Sequence, residues 1–103
     1  MGRFVKVAKR SEIQEHSARC VEVEGRRIAL VNLDGSIFAL DDTCTHAHAS
    51  LSEGDVQGDE IVCPLHFATF DVRTGQATSP PAVDDLARYN VRLTDDDVEV
   101  ELI

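Results

Sequence analysis

The chain has 103 residues, of which 43% are hydrophobic, so it is long enough for one small domain with its own core. Nineteen acidic residues against ten basic ones give a net charge of −9, which argues against a nucleic-acid-binding protein and suits docking onto basic protein surfaces. No apolar run approaches the roughly 18 residues of a membrane span, and residues 1–8 lack the features of a signal peptide. We therefore expect a cytoplasmic protein without a membrane partner.

The first forty residues have the patterns of an antiparallel meander. Alternating or continuous apolar residues predict strands at residues 4–8, 20–23, 28–33 and 37–40. The run 28–33 is largely apolar, as expected for a strand buried on both faces. Asp34-Gly35 predicts a tight hairpin turn after it. Residues 11–16 predict a short helical turn with Ser11 as its cap.

The second half of the chain continues in strands, which makes the fold class all-β. Short strands are predicted at residues 60–62 and 69–72, followed by a turn at Arg73-Thr74-Gly75. Residues 89–93 and 98–102 predict a final hairpin. Residues 44 to about 71 are therefore predicted to form two loops on a hairpin-like insertion, standing on a base formed by residues 1–43 and 72–103. We expect one domain over residues 1–103.

The loops of this insertion contain paired cysteines and histidines. Cys44-Thr45-His46 opens the stretch, and Cys63-Pro64-Leu65-His66 closes it after a gap of sixteen residues. Thiolates suit iron–sulfur clusters and zinc, and imidazoles suit iron, zinc and copper. The third cysteine, Cys20, leaves an odd number, which favours a metal protein over a disulfide framework. A zinc site with two cysteines and two histidines is the rival interpretation, although zinc sites more often group Cys with Cys and His with His.

The spacing of Cys44, His46, Cys63 and His66 resembles the fingerprint of Rieske iron–sulfur proteins. Ser50-Leu51-Ser52-Glu53-Gly54 after the first pair, and Phe70-Asp71-Val72-Arg73-Thr74-Gly75 and Ser79-Pro80-Pro81 after the second, extend the resemblance. It implies a Rieske-type antiparallel β-sandwich with a small cluster-binding subdomain and one [2Fe–2S] cluster. It also implies that the two cysteines hold one iron and the two histidines the other, nearer the surface.

Several further residues are expected to have structural roles. His16 is predicted to be solvated, and His48 lies two residues past the first motif histidine, so neither is assigned as a ligand. Cys20 is predicted to be a small buried apolar side chain. Glu53-Gly54-Asp55 is predicted to be a solvated turn. In the family, a proline loop covers one side of the cluster, which here is Pro80-Pro81.

The resemblance also indicates a low reduction potential. High-potential Rieske proteins carry two further cysteines, at the positions of Ala49 and Leu65, that join the two loops by a disulfide. They also carry a serine and a tyrosine, at the positions of Ala68 and Phe70, that donate hydrogen bonds to sulfur. Such donors favour the reduced cluster, so their absence predicts a potential near the low end of the Rieske range, about −150 mV.

The chain resembles the small ferredoxins that supply electrons to aromatic-ring-hydroxylating dioxygenases. It offers no nucleophile–base pair and no phosphate loop, and four protein ligands leave the cluster no open position, so we expect no catalytic residues and a carrier instead of an enzyme. The expected partners are a flavin-dependent ferredoxin reductase and a terminal Rieske oxygenase, and the carrier is expected to be a monomer. The alternatives are a Rieske-like small subunit of a nitrite reductase-type enzyme and a structural zinc-binding module.

Overall fold

The computed structural model describes residues 2–44, 49–65, 67–79 and 84–102. Strands dominate these residues, and every strand pair is antiparallel. The strands are β1 (Arg3–Lys9), β2 (Ser17–Val23), β3 (Arg26–Leu33), β4 (Ser36–Asp41), β5 (Val56–Gln57), β6 (Glu60–Val62), β7 (Thr69–Asp71), β8 (Arg88–Tyr89), β9 (Val91–Thr94) and β10 (Asp97–Leu102). Two short 3-10 turns cover Arg10–Glu12 and Leu51–Glu53. Among the described residues, no helix has the length and apolar character that crossing a membrane requires.

The strands form three sheets, with the orders β1-β10-β9, β2-β3-β4-β8 and β5-β6-β7. The first two sheets enclose an apolar cluster that we call the base core: Ala8, Ile13, Ile28, Leu30, Ile37, Ala39, Val98, Val100 and Leu102. A second cluster, the site core, lies between the other face of the four-stranded sheet and the third sheet: Val31, Leu33, Leu40, Cys44, Ala49, Leu51, Ile61, Cys63, Ala68, Phe70, Val72 and Leu86. The prediction of an all-β sandwich is confirmed.

Strand β3 contributes to both clusters. Side chains alternate between the two faces of a strand, so Ile28 and Leu30 enter the base core, whereas Val31 and Leu33 enter the site core. All residues from Ile28 to Leu33 are buried, which confirms the prediction of a strand covered on both faces. The predicted hairpin after β3 is also confirmed, because Asp34 and Gly35 both have positive φ, of 54° and 93°.

Ser11 does not cap a helical turn as predicted. The turn is a single 3-10 turn, Arg10–Glu12, whose cap position is Lys9, and Ser11 lies inside it. The Ser11 hydroxyl donates instead to the Asp96 carboxylate at 2.6 Å, and the Ser11 N–H donates to the same group at 3.2 Å. A partner 85 residues away therefore decides the position of Ser11, and local sequence could not reveal it.

The predicted strand at residues 89–93 is two strands, separated at Asn90. β8 pairs with β4 through Tyr89 and Ala39, whereas β9 pairs with β10 through Val91 and Val100. The chain changes sheets between them. The Asn90 carbonyl accepts a hydrogen bond from the Glu101 N–H at 2.9 Å at this point. The short strand β5 was not predicted, because two residues are too few for a visible alternation.

Candidate metal centre

The first ligand loop, residues 44–49, follows β4, and its two ends, Cys44 and Ala49, lie side by side. Thr43 and Ser50 form an isolated antiparallel bridge at its base. Just inside this bridge, the Cys44 N–H donates to the carbonyl of Ala49 at 3.0 Å. The backbone thus closes around six residues, with the predicted cysteine ligand at the first position.

The second ligand loop, residues 63–68, is closed in the same way. Val62 pairs with Thr69 at the ends of β6 and β7, and the Cys63 N–H donates to the carbonyl of Ala68 at 2.7 Å. A further bond, from the Phe67 N–H to the Cys63 carbonyl at 3.0 Å, tightens this loop. Both loops therefore span six residues, begin with a cysteine and carry the same closing hydrogen bond.

Both thiols lie in an apolar environment suited to an iron–sulfur cluster. Cys44 is 3% exposed and Cys63 is fully buried, and both belong to the site core. Two buried cysteines at the starts of matched loops fit the sulfur ligands of such a cluster, because thiolates are its usual ligands and burial limits access of water.

The other predicted ligands, His46 and His66, lie outside the described residues, as do His48 and Pro80-Pro81. Within residues 2–44, 49–65, 67–79 and 84–102, no three potential metal ligands come together. His16, which was not assigned as a ligand, lies at a turn before β2, where its Nε2 is 3.0 Å from the Asp34 carboxylate. The structure thus describes the two sulfur positions of the predicted site.

A buried carboxylate anchors the first ligand loop. Asp42 is fully buried between β4 and Cys44, and its Oδ2 accepts a hydrogen bond from the Ser50 hydroxyl. Its Oδ1 accepts the Ser52 N–H at 2.9 Å, and its main-chain carbonyl accepts the Leu51 N–H at 2.7 Å. Arg27 Nη2 reaches Oδ2 at 3.4 Å. Asp42 thus joins the start of the loop to the segment that follows it.

The hydrogen bonds at Asp42 stabilise its charged form. Burial alone would raise the pKa of this carboxyl, but the donors on Ser50 and Ser52, with the nearby Arg27 guanidinium, bring it below its usual value. Cys20 lies beside this group on β2 and is half-buried. Burial first, and then the Asp42 charge, raises the pKa of the Cys20 thiol, so it remains protonated at neutral pH.

Hydroxyl groups tie the second ligand loop to the segment before Pro80. The Thr69 N–H donates to the Ser79 Oγ at 3.1 Å, and the Thr69 hydroxyl lies 2.8 Å from the same oxygen. Thr78 pairs with Thr69 through both its hydroxyl, at 2.6 Å, and its N–H, at 2.8 Å. The predicted proline cover itself lies outside the described residues, but the segment leading to it is fastened to the end of the second loop.

Gly54 lets the segment after the first loop approach the strand that leads into the second. A Cβ atom at Gly54 would lie 1.9 Å from the Val62 carbonyl oxygen and 3.3 Å from Pro64. The turn predicted at residues 53–55 is exposed at Glu53 and Asp55, and Gly54 within it needs the absence of a side chain.

The middle of the second loop carries two exposed apolar side chains, which we call the tip. Leu65 is 56% exposed and Phe67 is 72% exposed, on either side of His66 in the sequence. Beside them, a cavity of about 530 Å³ opens between the two loops, and Arg27, Ser50, Glu53 and Leu65 are among the residues that line it. An apolar tip of this kind indicates a contact surface for another protein.

Sequence reasoning missed Asp42 and Arg27. The available signal was an acidic residue directly after a buried strand and two residues before a predicted ligand, with Ser50-x-Ser52 at the other end of the loop. Ala68 and Phe70, the positions without hydroxyl groups in the sequence, are both fully buried.

Comparison with known proteins agrees with these features. The sequence pattern of the Rieske [2Fe–2S] domain family matches residues 3–90. The chain is 37% identical over 100 residues to the ferredoxin component of the naphthalene 1,2-dioxygenase system of Pseudomonas putida, covering 97% of this chain and 96% of that protein. It is 39% identical over 99 residues to the biphenyl dioxygenase ferredoxin subunit of Pseudomonas sp. strain KKS102, covering 95% and 91%.

A solved structure gives the same result in three dimensions. The fold superposes with a TM-score of 0.89, at 37% identity, on a chain from the complex of reduced oxygenase and oxidized ferredoxin in carbazole 1,9a-dioxygenase, covering 94% of this chain and 91% of the other. The matched loops, the buried thiols and these similarities lead to one conclusion. The chain belongs to the Rieske [2Fe–2S] domain family, as a ferredoxin whose cofactor is one [2Fe–2S] cluster.

Proposed function

We propose that Cys44 and Cys63, with His46 and His66, hold the cluster and that the chain carries single electrons from a flavin-dependent reductase to a terminal ring-hydroxylating oxygenase. When bound, the cluster supplies a centre that accepts and returns one electron. The matched closure of the two loops supports the cysteine assignments, because it gives both thiols the same backbone setting. The histidine assignments rest on the motif spacing alone.

The observation that carries the delivery step is the exposed apolar tip of the second ligand loop. Phe67 and Leu65 flank His66 and are exposed, although most large apolar side chains among the described residues are buried. The chain resembles ferredoxin components of dioxygenase systems, and one related chain is in a complex of oxygenase and ferredoxin. We propose that the tip contacts the oxygenase in a small, transient interface, below about 1,200 Å² in total.

Acidic residues are concentrated in the part of the sequence that contains the two ligand loops, which supports docking on a basic partner. Residues 28–72 contain eight of the nineteen acidic residues and none of the ten basic ones, so this segment carries −8 of the net −9. It includes both cysteines and the apolar tip. Attraction to a basic partner patch would raise the encounter rate, and salt would weaken it because the Debye length is about 8 Å at physiological ionic strength.

Electron delivery can be measured by mixing the reduced protein with an oxidised terminal oxygenase, such as that of the naphthalene system. We expect the oxidation rate of the carrier to fall as salt rises and to fall further in Phe67→Lys. Leu93→Lys is the matched control, because Leu93 is also an exposed large apolar residue, 40% exposed, but lies on β9. A rate indifferent to salt would contradict the electrostatic attraction, and equal losses in the two variants would contradict docking at the tip.

We also propose a single domain over residues 1–103 that acts as a monomer in the cytoplasm, which size-exclusion chromatography and cell fractionation would test.

The reductase step needs its own assay, reduction of the protein by a flavin reductase and NAD(P)H. Failure to reduce any terminal oxygenase, together with stable co-purification with a large reductase chain, would favour the nitrite reductase small-subunit alternative.

A further inference from the structure

The Asp42 carboxylate, besides anchoring the first ligand loop, places a buried negative charge near the start of that loop. Asp42 is fully buried, and its carboxylate takes donors from Ser50, Ser52 and Arg27. It lies two residues before Cys44, whose thiol is also buried. A charged group in this position is fixed two residues from a proposed metal ligand, in surroundings that screen charge much less than water does.

The balancing positive charge is placed less favourably. Arg27 contacts the carboxylate through a single long contact of 3.4 Å, and its side chain is 52% exposed. Arg27 also lines the cavity between the ligand loops, where solvent screens its charge. The negative charge of Asp42 is therefore buried, whereas the guanidinium of Arg27 is in contact with water. We infer that the positive charge of Arg27 cancels the effect of the Asp42 charge on Cys44 only in part.

We propose that Asp42 is a positioning residue for the first ligand loop. We also propose that its buried negative charge lowers the reduction potential of the metal centre and that Arg27 opposes this effect. This inference rests on the proposed ligand assignment. Reduction adds one negative charge to the centre. A fixed negative charge beside Cys44 disfavours that addition, and the guanidinium of Arg27 favours it. The pair thus acts on the reduction equilibrium in opposite directions.

The test uses this difference in sign. Asp42→Asn keeps the size of the side chain and removes the charge, so the ratio of reduced to oxidised protein at a fixed applied potential should rise at least about threefold. Arg27→Gln should lower the same ratio by a smaller factor, about twofold, because solvent screens the half-exposed guanidinium. For a one-electron centre a threefold change is about 28 mV, because a tenfold change corresponds to about 59 mV. Protein film voltammetry measures it without any partner protein.

A matched control pair lies on the surface, where Arg73 and Asp59 are 3.6 Å apart and are 50% and 63% exposed. Asp59→Asn and Arg73→Gln should change the ratio by less than about 1.5-fold, because solvent screens exposed charges. Shifts of the same sign for the two changes at Asp42 and Arg27, or shifts no larger than those of the control pair, would overturn the proposal. A purely structural role would move both variants the same way.

Two further measurements keep the test decisive if Asp42→Asn fails to retain the cluster. Arg27→Lys keeps the positive charge, so it should restore the potential that Arg27→Gln lowers, and an unchanged potential in both variants would refute the electrostatic part. Hydrogen exchange of the Ser52 amide tests positioning. It should accelerate in Asp42→Ala, which removes the acceptor oxygen, and unchanged protection would refute that part. Wild-type protein that binds no cluster would instead refute the ligand assignment.

Discussion

The two ligand loops share one backbone design but are held in place by different forces. Each spans six residues, and each closes with a hydrogen bond from a cysteine N–H to the alanine carbonyl five residues later. The first loop depends on a buried charge, because Asp42 connects its two ends. The second continues two strands of a sheet and depends on apolar packing and neutral hydroxyl contacts. The same closing hydrogen bond can therefore be supported by a buried charge or by apolar packing.

The largest expected effect comes from removing the proposed ligands, which tests whether both loops are needed to bind the cluster. Cys44→Ser, Cys63→Ser, His46→Ala and His66→Ala should each abolish the Rieske absorption and the EPR signal of the reduced protein. Stability should fall as well, because ligand bonds supply folding free energy in small metal domains. His16→Ala and His48→Ala should leave the spectra intact. Loss of the cluster in His48→Ala but not in His46→Ala would show that the first loop uses a different imidazole.

A methyl group at Gly54 should push the segment after the first loop away from β6. Gly54→Ala places a carbon 1.9 Å from the Val62 carbonyl oxygen, and the necessary shift should cost about 3 kcal/mol of unfolding free energy. Gly58→Ala is the control, since nothing lies within 4 Å of its Cβ position and only its φ of +60° is strained, at about 1 kcal/mol. Denaturant titrations measure both. Equal costs would mean that the close approach of Gly54 to β6 is unimportant.

Removing one hydroxyl group that contacts the residues beside each loop compares the interactions that hold the two loops in place. Ser50→Ala takes a donor from the buried Asp42 carboxylate and should cost about 2 kcal/mol. Ser79→Ala removes a neutral contact to Thr69 and should cost about 1 kcal/mol. Thermal unfolding of the two variants gives the difference. A larger loss for Ser79→Ala would contradict the view that the first loop relies on charge.

The smallest effect concerns the apolar surroundings of the second loop. Ala68→Ser combined with Phe70→Tyr introduces hydroxyls at the buried positions where high-potential Rieske proteins carry them, so the midpoint potential should rise by roughly several tens of mV. Phe4→Tyr, on β1 in another sheet, should leave it unchanged. An unchanged or lower potential with an intact cluster would show that the missing donors do not explain a low potential.

Sequence patterns predicted the structural elements that are determined by neighbouring residues in the sequence. The apolar run of β3 and the Asp34-Gly35 turn were visible in the sequence, because burial on two faces and positive φ leave clear residue preferences. The ligand motif was equally visible in the sequence, as two pairs of cysteine and histidine, and its assignment of four metal ligands stays a prediction. None of these predictions required knowledge of the folded chain.

The features that sequence reasoning missed depend on contacts between distant residues. Asp42 meets Arg27, fifteen residues earlier, only after β3 and β4 pair. The need for Gly54 arises from a carbonyl on β6, and the break at Asn90 arises from a change of sheet. In each case the residue has an ordinary local preference, and the neighbour that decides its role is set by the tertiary fold.

Metal and sulfide analysis of the native protein, purified without air, tests the cluster assignment most directly. We expect about two iron atoms and two acid-labile sulfides per chain, with one electron taken up on reduction. Stoichiometric zinc without sulfide in the intact protein would contradict this expectation, and would favour the structural zinc module that two cysteines and two histidines could also build.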